Sequence, residues 1–258
     1  MILQKRSIST IIALLLCLTS IETMAHGQDD IDILIQKAET YFLDQKNREA
    51  LDMYLSVLDI DATNYEALHN TSLLYNMEGF QFDDEDERMK YYKLAESYAE
   101  RALEHHPDKD ESHYVYSIAL GRIADKSSAR NRVKAAKAIK EHGEKALELN
   151  PEHAGAWHLL AVWHHNAANL NFAERTAVRL LGGLPDASNE KAEEAFNKAI
   201  ALDDETIIFY RDFARFYDEV GKKQKAEQML NKVVTLEPKV EGDEKILEES
   251  REMLSSIR

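Results

Sequence analysis

The feature that most restricts what this chain can fold into is a spacing that returns. Residues 207–240, IIFYRDFARFYDEVGKKQKAEQMLNKVVTLEPKV, set Tyr210, Phe213, Ala214 and Tyr217 on one stripe of a helix, then continue with Gly221, Ala226, Leu230, Val233 and Pro238. At 3.6 residues per turn the first four face the same way. Gly221 permits a reversal, Ala226 is small enough for two helices to cross, and Pro238 stops the second helix. One such pair leaves its stripe in water, so several must stack.

The frame recurs. Residues 31–64 carry it in Leu34, Ala38, Tyr41, Ala50, Tyr54, Val57 and Leu58, with Ala62 in place of the proline. A second unit uses Leu68, Ser72, Tyr75 and Gly79, then Ala95, Ala99, Ala102 and Pro107. The third runs from about Asp110 to Pro151, and the fourth from Trp157, Leu160, Ala161 and His164 to Ala192, Phe196, Ala199 and Ile200. Only 9 glycines and 4 prolines punctuate the chain, which suits long helices better than tight-turned sheets. These spacings resemble the tetratricopeptide repeat. The resemblance implies an all-α fold, a right-handed α-α superhelix (a TPR-like solenoid) of about five helix pairs across 26–242, closed by a capping helix at 243–258. Extra residues near 80–91, 123–132 and 170–188 each fall between the two helices of a unit, and are expected to emerge on one shared edge.

A narrower resemblance follows from IKEHGEKALELNP, AGAWHLLAVWHHNAA and FAERTAVRLLGGLPDASNEKAEEAFNKAIALD. Together these stretches resemble the regulator of microtubule dynamics family, over roughly 30–255 and most tightly over 110–204. The family comprises helical-repeat proteins of animals with bacterial relatives, the animal members being associated with microtubules and with contacts between organelles. It brings no catalytic motif, so no active-site residue is carried over. An export signal argues against that animal biology.

That signal is read at the N-terminus. Lys5 and Arg6 precede an apolar run from Ile11 to Leu18, and Thr23 and Ala25 are small residues suited to a cleavage site, so residues 1–25 are expected to be a secretory signal peptide. Thr19, Ser20 and Glu22 break the run short of the roughly 20 apolar residues that a membrane span needs. No stable membrane insertion is expected once the segment is cleaved. Cys17, the one cysteine, follows Leu16 rather than the small residue of a lipid-attachment box; its loss with the signal leaves no disulfide, which fits a periplasmic or extracellular bacterial protein. A net charge of −15 disfavours nucleic acid and anionic membranes as partners of the average surface, although a local basic face remains open to the chain.

Candidate site residues come from the repeat frame. With Ala154 first in the fourth unit, Trp157 and His164 turn toward the paired helix, where His164 is expected to pack its ring and bond a nearby backbone group. His158, His165 and Asn166 turn toward the concave groove, as do Arg211 and Arg215 of the fifth unit, with Asn70, Tyr114 and Arg122 at or beside equivalent places. His158 and His165 stand seven residues apart, about 10 Å along a helix, too far to share one ion, and the His-Glu-x-x-His pattern of zinc enzymes is absent; no metal and no cofactor is expected. Ser188 and Lys191 imitate a hydrolase motif but read better as a helix start, as does the acidic run Asp83–Glu87. Basic residues from Arg122 to Lys140, with Arg211 and Arg215, suggest a cationic groove suited to an acidic peptide or a C-terminal carboxylate. The function expected is an exported, non-catalytic adaptor that holds a protein or peptide. Two alternatives stand beside it: a cytoskeleton-associated scaffold, and an enzyme in which residues 170–187 fold over the groove to enclose Arg175, Arg179 and His165.

Overall fold

The computed structural model describes residues 27–124 and 126–257, so the expected signal segment lies outside the described residues. The described chain is all helical: α1 (27–43), α2 (Asn47–Ile60), α3 (Tyr65–Gln81), α4 (Glu85–His105), α5 (Asp110–Ala124), α6 (Ala129–Leu149), α7 (Ala154–Ala168), α8 (Phe172–Leu180), α9 (Asn189–Leu202), α10 (Ile207–Glu219), α11 (Lys223–Val233) and α12 (Asp243–Ile257). Sequential pairing gives α1–α2, α3–α4, α5–α6, α7–α9 and α10–α11, with α8 inserted in the fourth pair and α12 packed on α10 and α11. This is the TPR-like architecture that the spacing implies.

Small residues at the crossings make the pairs close. Ala38 and Ala50, Ser72 and Ala95, Ala161 and Ala192, and Ala214 and Ala226 are all fully buried, and Ser72 Oγ donates to Ala95 O at 2.9 Å. Larger side chains there would hold the axes apart. Phe196, Phe213 and Phe216, among the largest fully buried side chains, fill the space between the fourth and fifth pairs. Caps end the helices where the sequence offers them. Asp84 accepts from Glu87 N–H to start α4, and Ser188 accepts from Lys191 N–H to start α9, so both motifs serve as helix starts.

The three stretched places differ in kind. Residues 80–91 are absorbed into long helices: α3 has 17 residues and α4 has 21, with only 82–84 between them. Likewise 123–132 spans the end of α5, a short turn and the start of 21-residue α6. Only 170–188 forms an element of its own, α8, which lies against α6.

The far ends of the superhelix meet. Gln45, between α1 and α2, donates from Nε2 to Pro238 O at 3.2 Å, and the Lys245 ammonium of α12 lies 5.1 Å from the Phe80 ring centre at the end of α3. Gly242 takes φ +103°, a backbone conformation that side chains rarely adopt, and packs beside Gln81 Nε2 of α3. The superhelix therefore turns back on itself within five pairs.

Candidate functional site

Successive first helices touch one another, α3 with α5, α5 with α7, α7 with α10 and α10 with α12, whereas successive second helices do not pack comparably. The first helices accordingly line the concave side, and the side chains they present there form the candidate site.

Two polar rungs cross from α7 to α10. His158 Nε2 donates to Asp212 Oδ2 at 2.9 Å, and Arg211 Nε lies 2.9 Å from Asp212 Oδ1. Two helical turns farther along, His165 Nε2 donates to Glu219 Oε2 at 2.8 Å, while Arg215 Nε reaches Glu219 Oε1 at 3.3 Å. Each rung is thus a histidine, a carboxylate and an arginine, and together they join four of the residues singled out in the sequence. Rings support them: His158 stacks on Phe209 with centroids 4.7 Å apart, and His165 meets Phe216 edge-on at 5.1 Å. Burial would raise the Asp212 carboxyl, but the hydrogen bond from His158 and the charge of Arg211 outweigh it and hold the group below its ordinary value. The other ring nitrogen of His165, Nδ1, lies 3.0 Å from Asn169 Nδ2, whose hydrogens are also directed to His165 O and Asn189 Oδ1 at 2.7 Å.

The spacing within one repeat does not point to the carboxylates. Asp212 follows His158 by 54 residues and Glu219 follows His165 by the same 54, a constant offset that pairs adjacent units once the long fourth unit is counted in. Arg211 is further held by Glu249 of α12 through Nη1 at 3.3 Å and is only 16% exposed, whereas Arg215 is 62% exposed. The two arginines therefore do not form an uncompensated cationic strip; one braces the cap and the other keeps an open side.

The remaining candidates are not gathered with these. Tyr114 packs on His153 with ring centres 4.5 Å apart and lies over Gly155, where any Cβ would stand 2.5 Å from its hydroxyl. Burial raises its phenol well above the ordinary range. Arg122 lies over the rings of Phe80 and Tyr92 at 6.0 and 5.8 Å. Asn70 donates back to Glu66 O at 3.0 Å, and Asn166 is exposed.

The tryptophans and His164 belong to packing. Trp157 donates to Pro151 O at 2.9 Å beneath the Lys198 ammonium of α9. Trp163, which the repeat frame did not single out, is buried and donates to Ala136 O of α6 at 2.6 Å. His164 is buried edge-on to Trp163; burial, then Lys140, lowers its pKa. Its Nδ1 has no hydrogen-bond partner among the described residues, so the expected backbone bond is not made by that atom.

A second histidine pair lies beside a cleft of about 800 Å³ between α6 and residues 182–185. His113 Nε2 donates to Pro107 O at 2.9 Å, so its Nδ1 accepts from His142 Nδ1–H at 2.8 Å. Burial, then His113, lowers the His142 pKa. Lys140 there is paired with Glu144, and Lys145 with Glu148. The groove lid is not formed: α8 packs on α6, Arg175 and Arg179 are exposed, and His165 is buried against Glu219.

The sequence pattern of the family described as Regulator of microtubule dynamics protein 1-3 matches residues 34–258. Regulator of microtubule dynamics protein 1 of Pongo abelii is 26% identical over 91% of this chain and 75% of its own length. The Homo sapiens protein of the same name is 31% identical over 67% of this chain, and the match spans 56% of that protein. Among solved structures, a thermophilic TPR protein of Thermus thermophilus superposes with a TM-score of 0.60 at 17% identity, covering 90% of this chain and 98% of that one. A tetratricopeptide repeat protein from Parabacteroides merdae reaches 0.50 at 19% identity over 88% and 75%.

Proposed function

The chain belongs to the regulator of microtubule dynamics protein 1-3 family, and from that premise we propose that it is a non-catalytic scaffold holding a protein or peptide along its concave face. The observation that carries this reading is the pair of His–carboxylate–Arg rungs, which fix α7 to α10 and leave Arg215 open beside them. Histidines and carboxylates already hydrogen-bonded to one another present a stiff, polar recognition surface, and recognition without chemistry is what such a surface supports. Neither rung holds a serine, cysteine or lysine nucleophile next to its histidine. An acidic side chain or C-terminal carboxylate of the partner takes the open side of Arg215, where a charge-assisted bond adds direction as well as energy. Arg211, braced by Asp212 and Glu249, contributes rigidity instead.

We further infer that the scaffold is exported, on the strength of Lys5, Arg6, the apolar run Ile11–Leu18 and the small residues before His26. The names of the relatives support a second reading, a cytoskeleton-associated scaffold that keeps its N-terminal segment. Sequencing the mature N-terminus separates the two: a start near His26 removes the retained anchor.

The binding reading is tested by fluorescence polarisation against peptides with free or amidated C-termini and with or without acidic residues. The expected result is binding that needs the carboxylate, weakens with salt, and falls about tenfold in Arg215→Ala. Indifference to both carboxylate and substitution would sink the proposal.

A further inference from the structure

Helix α8 is built to be displayed. It has nine residues and buries none of them, although isolated helices shorter than about 12 residues are marginal in water. Its ends hold it. Asn171 Oδ1 accepts from Glu174 N–H at 3.0 Å while Glu174 Oε2 accepts from Asn171 N–H at 2.8 Å. At the other end Gly183 N–H donates to Val178 O at 2.8 Å, with Gly182 and Gly183 at φ +89° and +76°, the left-handed conformation that glycine adopts without strain. This capped helix shows two large apolar side chains to solvent: Phe172 is 84% exposed and Leu180 81%, the two most exposed large hydrophobic side chains among the described residues. Eight positions apart, their tips stand about 12 Å apart along the axis.

Cations surround them. Arg175 and Arg179 lie between the two tips on α8, both exposed and forming no ion pair among the described residues. Lys137 of α6 donates to Leu181 O at 3.3 Å, so the α6 stripe that contains Lys137 faces α8. Arg130 and Lys134 occupy the preceding turns of that stripe, exposed and likewise without an ion pair among the described residues. Glu174 is the acidic side chain of α8 itself, and the capping box engages it. In a chain of net charge −15, this concentration of positive charge about two protruding apolar side chains is a local feature rather than a consequence of composition.

We propose that the face made by α8 and the N-terminal half of α6 is a peripheral docking surface for an anionic lipid membrane. Phe172 and Leu180 enter the boundary between headgroups and acyl chains, and Arg130, Lys134, Arg175 and Arg179 meet the headgroups. Two separate tips divided by Thr176 supply insertion points but not the contiguous surface, of order 800 Å² per partner, that a stable protein interface buries. Shallow insertion with flanking arginine and lysine is the pattern of helices that lie in the bilayer interface. The surface belongs to the insertion of the fourth unit rather than to the concave face, so it leaves the groove available to its own partner.

The test is co-sedimentation of the full chain with vesicles of phosphatidylcholine containing phosphatidylglycerol, against phosphatidylcholine alone and against soluble poly-glutamate. The N-terminal segment is common to all variants and its Lys5 and Arg6 themselves favour anionic headgroups, so the quantity read is the change in anionic-vesicle binding between wild type and the α8 variants. Selective binding to the anionic vesicles is expected, falling at least about tenfold in Arg175→Glu/Arg179→Glu and comparably in Phe172→Ala/Leu180→Ala, with thermal melts unchanged. Equal binding to both vesicle types, or anionic binding untouched by either pair of substitutions, overturns the proposal. So does binding to poly-glutamate with the same dependence on α8 and none to vesicles, which would make this a face for an acidic protein.

Discussion

Helix α10 buries Ile207, Phe209, Tyr210, Phe213, Ala214, Phe216 and Tyr217, whereas α8 buries nothing. Both carry two arginines. On α10, Arg211 is held between Asp212 and Glu249, and Arg215 is tied to Glu219; on α8, Arg175 and Arg179 meet solvent. The difference follows from position in the repeat. A first helix with a neighbour on each side is specified by packing, and its charges are drawn into bonds across the concave face. An inserted helix with one neighbour has no such support, so the Asn171–Glu174 box and the Gly182–Gly183 turn specify it locally, and its surface stays available.

Removing core from α10 should give the largest effect. Phe213 is 1% exposed, stacks on Phe196 with centroids 4.8 Å apart and on Tyr217 at 4.3 Å. Phe213→Ala should cost about 3–5 kcal/mol, read as a lower midpoint in urea unfolding. A loss no larger than that of an exposed substitution would mean that α10 is not held by packing.

Breaking the first rung comes next. Asp212→Ala removes the acceptor of His158 and the charge partner of Arg211, and should cost about 1–3 kcal/mol. A double-mutant cycle with His158→Ala isolates the pair, and additivity of the two substitutions would show the rung to be idle.

A smaller contribution appears only in acid. Burial would raise the Glu193 carboxyl, but hydrogen bonds from Lys222, Lys225 and Tyr217 of the fifth unit outweigh it and pull the group from 4.5 down to about 2. The unfolded chain therefore takes up this proton first, at about its ordinary value. The contribution is complete above pH 4.5 and is lost as pH falls toward 2. Unfolding midpoints of wild type and Glu193→Gln should converge across that window; a constant gap would place the acid sensitivity elsewhere.

How far the sequence disclosed all this varies with distance along the chain. The pairs and crossings were legible because Ala38, Ala50, Ala214 and Ala226 act within one unit of fixed length. The orientation of His158 and His165 was legible for the same reason. Their acceptors were not: Asp212 and Glu219 lie in the next unit, beyond an insertion that shifts the frame, and only the equal offset of 54 residues betrays the pairing. Trp163 lies outside the repeat signature, so its burial against α6 left no mark in the pattern. Contacts of the cap with Phe80 depend on the pitch of the whole superhelix, which no local spacing encodes.

The smallest effect should fall on α8, and its smallness is informative. Phe172→Ala removes a side chain that is 84% exposed, so no buried area is lost and no cavity opens. Stability should change by no more than about 0.5 kcal/mol, in either direction, because surface substitutions away from caps and cores rarely do more. Phe172 follows the Asn171 cap and precedes Glu174, so alanine, a better helix former, also leaves the box intact. Urea midpoints of wild type and variant should therefore coincide while Phe213→Ala shifts its midpoint widely. A loss above about 1 kcal/mol from Phe172→Ala would show that α8 depends on this ring for its place, and the contrast between a packed helix and a displayed one would fail.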